Sequence, residues 1–267
     1  MAMRRLVAGT GWKMNIGAAE ATRYGSELAL RLAQIDVSAV DIFELPPFTA
    51  LVAASGALAA TPVAIGGQNM HWEESGAWTG EISAPMLVEA GCRYVELAHS
   101  ERLYHFAESY ELVRRKVDSA LRSGLTPIIC LGETAQEKGE GRTDDVLLEQ
   151  VLTSLAGQPD ARVADVILAY EPRWAIGGAQ AATPDYVAER HAILRNNLKA
   201  HRGQDAADRT RIIYGGSVTA ENGPQLIAID DVDGLFVGRA AWTPEGFARI
   251  VEIVAGAAQN KGTGQTA

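Results

Sequence analysis

Short strand-forming runs recur along the chain at residues 6–11, 40–45, 63–68, 94–98, 127–131, 166–170, 211–214 and 234–237. Between them, apolar residues fall at helical spacing. In 186–200, for example, Val187, Ile193, Leu194 and Leu198 follow the 3.6-residue period. Helix starts are marked as well. Thr183-Pro184 and Thr243-Pro244 each place a hydroxyl N-cap before proline at the first helical position, and Thr134 with Glu137 has the form of a capping box.

Eight strands alternating with helices predict an α/β chain folded as a TIM (β/α)8 barrel, one domain over residues 1–255. An open doubly wound sheet is the other arrangement such alternation allows, but no Gly-x-Gly-x-x-Gly follows the first strand. A chain of 267 residues is long enough to bury one large core. No linker or composition shift interrupts it before residue 256, and the small, polar, Gly-rich stretch 256–267 is expected to be a disordered tail.

Charge and cysteine usage narrow the partners. With 24 basic against 33 acidic residues the formal net charge is −9, which argues against nucleic acid or an anionic membrane. A phosphate ligand would therefore be held by local geometry against the global field. Cys92 and Cys130 form no Cys-x-x-Cys pair and read as free buried thiols in a reducing, cytoplasmic compartment. Arg4 and Arg5 precede an apolar run too short for a signal peptide, and no run is long enough to cross a bilayer.

In a barrel of this kind the active site forms where the strands end. After the first strand comes Gly11-Trp12-Lys13-Met14-Asn15, after the fourth His99-Ser100-Glu101-Arg102, and after the sixth Glu171-Pro172. An ammonium, an imidazole and a carboxylate are thus expected at one mouth. Glycines cluster after the last three strands, at Gly177-Gly178, Gly215-Gly216-Ser217 and Gly238-Arg239, where backbone N–H groups can approach an anion. Each residue alone has a structural reading: a strand-end lysine is usually solvated, a single histidine usually structural, and a Gly-Gly pair usually a turn. Their joint register with the correct strands favours a small phosphorylated substrate. Neither a His-Glu-x-x-His run nor a Cys/His cluster is present, so neither metal nor cofactor is expected.

From about residue 4 to 255 the chain resembles the triosephosphate isomerase family. The matching segments include Trp12-Lys13-Met14-Asn15, Gly67-Gln68-Asn69, Thr79-Gly80-Glu81-Ile82-Ser83, His99-Ser100-Glu101-Arg102, Cys130-Leu131-Gly132-Glu133-Thr134, Tyr170-Glu171-Pro172, Trp174-Ala175-Ile176-Gly177 and Tyr214-Gly215-Gly216-Ser217-Val218. The resemblance implies a cofactor-independent isomerase of small phosphorylated ketoses and aldoses. It makes Glu171 the base that takes a proton beside the carbonyl, His99 a neutral imidazole that polarises the carbonyl, and Lys13 a fixed positive charge. Glu101 and Cys130 would support them. Gly11, Gly177, Ser217, Gly238 and Arg239 would line the substrate and phosphate site. Residues 172–180, with Pro172, Arg173, Trp174, Ala175, Ile176 and Gly178, would form a lid that closes through the Gly177 N–H and excludes water. Thr79 would cross to a second copy in a homodimer.

The sequence also departs from the family pattern. Gly11 stands where the family has Asn, Ala98 replaces the Gly before the catalytic histidine, and Arg239 replaces the second of two glycines. Arg173 and Gln180 are unusual in the lid. Losing the Asn side chain removes a donor and opens space beside the reacting carbons. Together with Asn69-Met70-His71-Trp72, Gly76-Ala77-Trp78-Thr79-Gly80 and Gly238-Arg239-Ala240-Ala241-Trp242, this resembles the subgroup that isomerises L-erythrulose 1-phosphate in polyol (erythritol) catabolism. Ordinary triosephosphate isomerase of glycolysis is the second expectation. A non-catalytic phosphate-binding barrel, or reuse as a surface adhesin, is disfavoured by retention of Lys13, His99 and Glu171.

Overall fold

The computed structural model describes residues 4–176 and 181–263. Its strands are β1 (Leu6–Gly11), β2 (Val40–Leu45), β3 (Val63–Gly67), β4 (Cys92–Leu97), β5 (Thr126–Leu131), β6 (Ile167–Tyr170), β7 (Arg211–Tyr214) and β8 (Gly234–Val237). They pair in parallel in chain order, and β8 returns to β1 through Val7↔Gly234 and Ala8↔Leu235, closing the barrel. The connecting helices are α1 (Ala18–Leu32), α2 (Leu51–Leu58), α3 (Ala84–Glu89), α4 (Ser100–His105), α5 (Tyr110–Arg122) and α6 (Ala135–Gly139). After them come α7 (Thr143–Ser154), α8 (Asp160–Val163), α9 (Pro184–Arg202), α10 (Gln204–Arg209), α11 (Gly223–Ile227) and α12 (Pro244–Thr263).

Both faces of every strand are covered, so the strands read as nearly continuous apolar runs. Outward residues such as Ile42, Val95, Leu97 and Leu168 pack against the helices, while Val7, Phe43, Tyr94, Ile128, Ile213 and Phe236 fill the barrel interior. Phe43 sits between Tyr94 and Phe236, with ring centroids 5.2 and 5.4 Å away, and forms an aromatic floor below the mouth. Among the described residues, no helix is long and apolar enough to cross a membrane.

The expected helix starts are present. Thr183 accepts from the Tyr186 N–H, Thr243 accepts from the Gly246 N–H, and Thr134 with Glu137 forms a reciprocal capping box. Several boundaries differ: β3 ends at Gly67, β5 begins at Thr126 and β6 begins at Ile167. β4 begins at Cys92 and ends at Leu97, because Ala98 leaves the strand with φ at +60°. The stretch read as a disordered tail is corrected at its near end. α12 carries residues 256–263, because Ala255 and Ala258 still pack against the core and Lys261 donates to the Ile229 and Val232 carbonyls. Composition alone missed this anchoring; residues 264–267 lie outside the described residues.

The barrel seam is closed by Asp233, which is buried just before β8. Its carboxylate accepts from Arg4 Nε at 2.7 Å, Arg195 Nη2 at 2.6 Å and the Ile212 N–H at 2.8 Å, and its carbonyl accepts from the Val7 N–H at 2.9 Å. One residue thus ties β1, the segment before it, β7 and α9 to the start of β8. Asp233→Ala removes the buried anion and the acceptor for the Ile212 N–H, leaving Arg4 and Arg195 only the more exposed Asp231. It is expected to lower stability by about 3–5 kcal/mol in denaturant unfolding, whereas a loss below about 1 kcal/mol would show that the seam does not depend on it.

Candidate active site

The end of β1 is held from three sides before Lys13 emerges. Trp12 is buried edge-to-face against Tyr24 at 4.8 Å, and the Trp12 N–H donates to the Leu45 carbonyl. The Gln68 amide donates to the carbonyls of Lys13 and Leu45, each at 2.9 Å. Lys13 itself has φ +54°, a left-handed conformation uncommon for a side-chain-bearing residue, which turns its ammonium toward the mouth. There Nζ bonds Glu101 Oε1 at 2.6 Å.

His99 follows Ala98, a second left-handed residue, and caps α4. Its Nδ1 accepts from the Glu101 N–H at 3.2 Å. A neutral ring with Nδ1 accepting must carry its proton on Nε2, and Nε2 faces Glu171 Oε2 at 3.6 Å. Burial, reinforced by the Lys13 charge, pushes the imidazole down to about 4 against the opposing pull of Glu101. The ring is therefore an uncharged donor at neutral pH.

Glu171 leaves β6 with its N–H bonded to the Leu131 carbonyl, and its side chain is only 5% exposed. Burial, then the carboxylates of Glu96 and Glu101, hold it well above the usual carboxylate range, with Lys13 opposing. Gly215 makes its place possible, since a Cβ there would stand 2.5 Å from Glu171 Oε1. Burial alone would raise Glu101, but the bond from Lys13 outweighs it with help from neighbouring charges, and Glu101 sits below its ordinary value.

The structure thus brings Lys13, His99 and Glu171 to one mouth. Ser217 has its hydroxyl turned to the Ala175 carbonyl at 2.7 Å, tying the β7 loop to the base of the expected lid. Gly11 ends β1, and Gly238 with the exposed Arg239 follows β8. Pro172, Arg173, Trp174, Ala175 and Ile176 are the described part of the expected lid and include a short 3-10 turn at Arg173–Ala175. Gly177, Gly178 and Gln180 lie outside the described residues. Thr79 is exposed beside Trp78 on the loop after β3.

Sequence reasoning missed several supports. Glu133 is buried and accepts from the Trp174 indole at 2.6 Å and the Tyr186 and Tyr170 hydroxyls at 2.7 and 3.1 Å, fastening the lid base to β6 and α9. Trp242 Nε1 donates to the Gly11 carbonyl at 3.1 Å, and the Tyr24 hydroxyl donates to the Ala241 carbonyl at 2.7 Å. Glu96, a charged residue inside an apolar strand run, was the visible signal left unread. One oxygen of Glu96, a ring nitrogen of His99 and one oxygen of Glu171 lie within 4.8 Å of one another, and no other cluster of this kind occurs among the described residues. Lys13 already supplies a fixed cation to all three, so we assign none of them as a metal ligand.

A poised carboxylate, a neutral Nε2–H donor and an ammonium around one space suit proton transfer beside a carbonyl, with oxyanion charge stabilised as it develops. Comparison with known proteins agrees. The family model described as triosephosphate isomerase matches residues 6–254. An L-erythrulose-1-phosphate isomerase from Rhizobium etli is 45% identical over 97% of this chain and 96% of its own. Another from Mycolicibacterium smegmatis is 43% identical over 94% of each chain. A triosephosphate isomerase from Symbiobacterium thermophilum is 44% identical over 95% of this chain and 98% of its own.

The imidazole gives a direct test. Because burial disfavours the charged ring, nitrogen NMR of the free protein is expected to show His99 neutral and Nε2-protonated from about pH 8 to about pH 5, with protonation only near about 4. A midpoint near the unperturbed 6.5 would refute the neutral donor.

Proposed function

The chain belongs to the triosephosphate isomerase family, and we propose that within it this sugar-phosphate isomerase interconverts L-erythrulose 1-phosphate and D-erythrulose 4-phosphate. The observation that carries this reading is Gly11. A Cβ built there would meet only the Phe236 ring, at 3.7 Å, an ordinary contact. Packing therefore does not demand glycine. The missing side chain leaves room beside Lys13 for the extra hydroxymethyl group of a four-carbon substrate. Trp242 holds the Gly11 carbonyl, so the backbone keeps its place without that side chain. Two relatives with matching lengths carry the same activity in their names.

In this mechanism Glu171 takes the proton from the hydroxyl-bearing carbon next to the ketone. The electron pair moves onto the carbonyl oxygen, which receives the His99 Nε2 proton, and an enediol forms across the two central carbons. Glu171 then returns its proton to the former carbonyl carbon while the other oxygen surrenders its own to His99. The carbonyl has moved by one carbon and both residues are restored. Lys13 stabilises the negative charge that develops between these steps. In this reading the backbone N–H groups of Ser217 and Gly238 hold the phosphate with Arg239 nearby, and the lid expected over residues 172–180 would add the Gly177 N–H. No cofactor takes part.

A homodimer is part of this reading. Met14, Trp78, Met86, Tyr104 and Phe106 are exposed on segments following β1, β3 and β4. A second copy with Thr79 at the contact would cover these apolar groups. Free Cys92 and Cys130 suit a reducing cytoplasmic setting.

With coupled enzymes, the purified protein is expected to turn over L-erythrulose 1-phosphate with a higher kcat/KM than glyceraldehyde 3-phosphate. Equal or better activity on the triose would make it a triosephosphate isomerase, the function named for the Symbiobacterium relative. Gly11→Asn should shift the preference toward the triose by about 1–3 kcal/mol, the usual worth of one small group in a pocket. An unchanged ratio of kcat/KM values would remove Gly11 as the discriminator.

A further inference from the structure

The mechanism above employs Glu171 and leaves the carboxylate beside it without a task. Glu96 lies on β4, on the same inward face as Tyr94 and three residues before His99. It is 7% exposed, close to the values for His99 and Glu171, so it reaches the floor of the same mouth. The Cys130 thiol on β5 donates to its Oε1 at 3.7 Å. With Glu171 it forms a pair of buried carboxylates, the ligand atoms of Glu96, Glu171 and His99 all lying within 4.8 Å of one another.

The charged and titratable neighbours do not neutralise this pair. Lys13 faces it from β1, Glu101 and Arg102 from α4, and Cys130 from β5. Tyr110 of α5, Arg173 of the lid base and Tyr214 of β7 complete the surroundings. Lys13 is already bonded to Glu101 and Arg102 to Glu108, and among the described residues no cation donates a hydrogen bond to either carboxylate of the pair. Two like charges this close and this dry cannot both form freely.

We propose that Glu96 is a positioning residue for the base: its carboxyl and that of Glu171 hold one proton between them, and its charge sets the pH at which Glu171 becomes free to accept a proton from carbon. Burial pushes Glu96 up to about 7, with Lys13 pulling the other way, so it ionises near neutrality. Its charge then adds to burial in holding the Glu171 proton. A base raised in this way binds the abstracted proton more tightly once it is ionised. Glu96 acts through Glu171 and need not touch the substrate.

The test is the acid limb of kcat/KM, which reports the ionisation of the base in the free enzyme. Glu96→Gln keeps size and hydrogen bonding but removes the charge, and should move that limb to lower pH by about one unit. Glu96→Asp, which keeps the charge, should retain most of the wild-type position. A Glu96→Gln limb that superimposes on wild type would overturn the proposal. Infrared titration of buried carboxyl groups provides a second measurement on the wild-type protein without substrate. The protonated-carboxyl band should persist to higher pH in wild type than in either Glu96→Gln or Glu171→Gln. Loss at the same pH in wild type and one single variant would mean that the two groups titrate independently. The proposal rests on Glu171 being the base. Turnover preserved in Glu171→Gln would refute that role, whereas the infrared result bears on the shared proton alone.

Discussion

Two carboxylates and an uncharged imidazole confined in a nearly dry pocket form the arrangement on which the rest of this molecule depends. Charge in such a place is unfavourable unless something holds it there. Glu171 ionises against burial and against Glu96, and His99 stays neutral because burial and Lys13 both oppose the imidazolium. The energetic tension is the chemistry: a carboxylate raised above its solution value is a stronger base, and an imidazole lowered below its own is a donor that does not neutralise the base. Water entering the pocket would relax both. The aromatic floor of Phe43, Tyr94 and Phe236 closes the pocket from below.

Holding the groups at this separation is the work of the backbone around them. Lys13 and Ala98 occupy left-handed conformations, each at the step where a strand ends and a side chain of the candidate site turns inward. Such strain persists only where neighbours over-determine it. Here Gln68, Trp12 and Tyr24 surround the first, and the N-terminal turn of α4 fixes the second. Glu133 does the same for the segment after β6, accepting from Tyr170, Trp174 and Tyr186. The barrel seam at Asp233 keeps β1 and β8 in register, and with them Gly11 and the loop that carries Trp242.

Much of this was legible in the residues alone. The strand runs, the caps at Thr134 and Thr183, and the meeting of Lys13, His99 and Glu171 follow from periodicity and from the rule that barrel sites form at strand ends. What escaped was of two kinds. Glu133, Tyr24 and Trp242 act through hydrogen bonds between segments far apart in the chain, which no local pattern reports. Residues 256–263 looked like a tail because composition registers glycine and polarity but not that Ala255, Ala258 and Lys261 meet the barrel. Glu96 differs from these. A glutamate inside a buried strand run is a visible anomaly, and only its distance to Glu171 turns that anomaly into chemistry.

If the substrate is the four-carbon sugar phosphate proposed above, Gly11 and Glu96 answer two demands of the same reaction. When a carbonyl moves between the two central carbons of a four-carbon sugar phosphate, it is a ketone at both ends of the reaction. A C–H beside a ketone is less acidic than one beside an aldehyde, so the chemical step asks more of the base than the aldehyde side of a triose does. The longer chain also asks for space at the end remote from the phosphate. Under the proposed function, Glu96 would meet the first demand by raising Glu171, and Gly11 the second by omitting a side chain where packing would have accepted one. Neither change disturbs Lys13, His99 or Glu171. Because the two residues lie on different strands and touch different parts of the reaction, their effects on base strength and on chain length are separable.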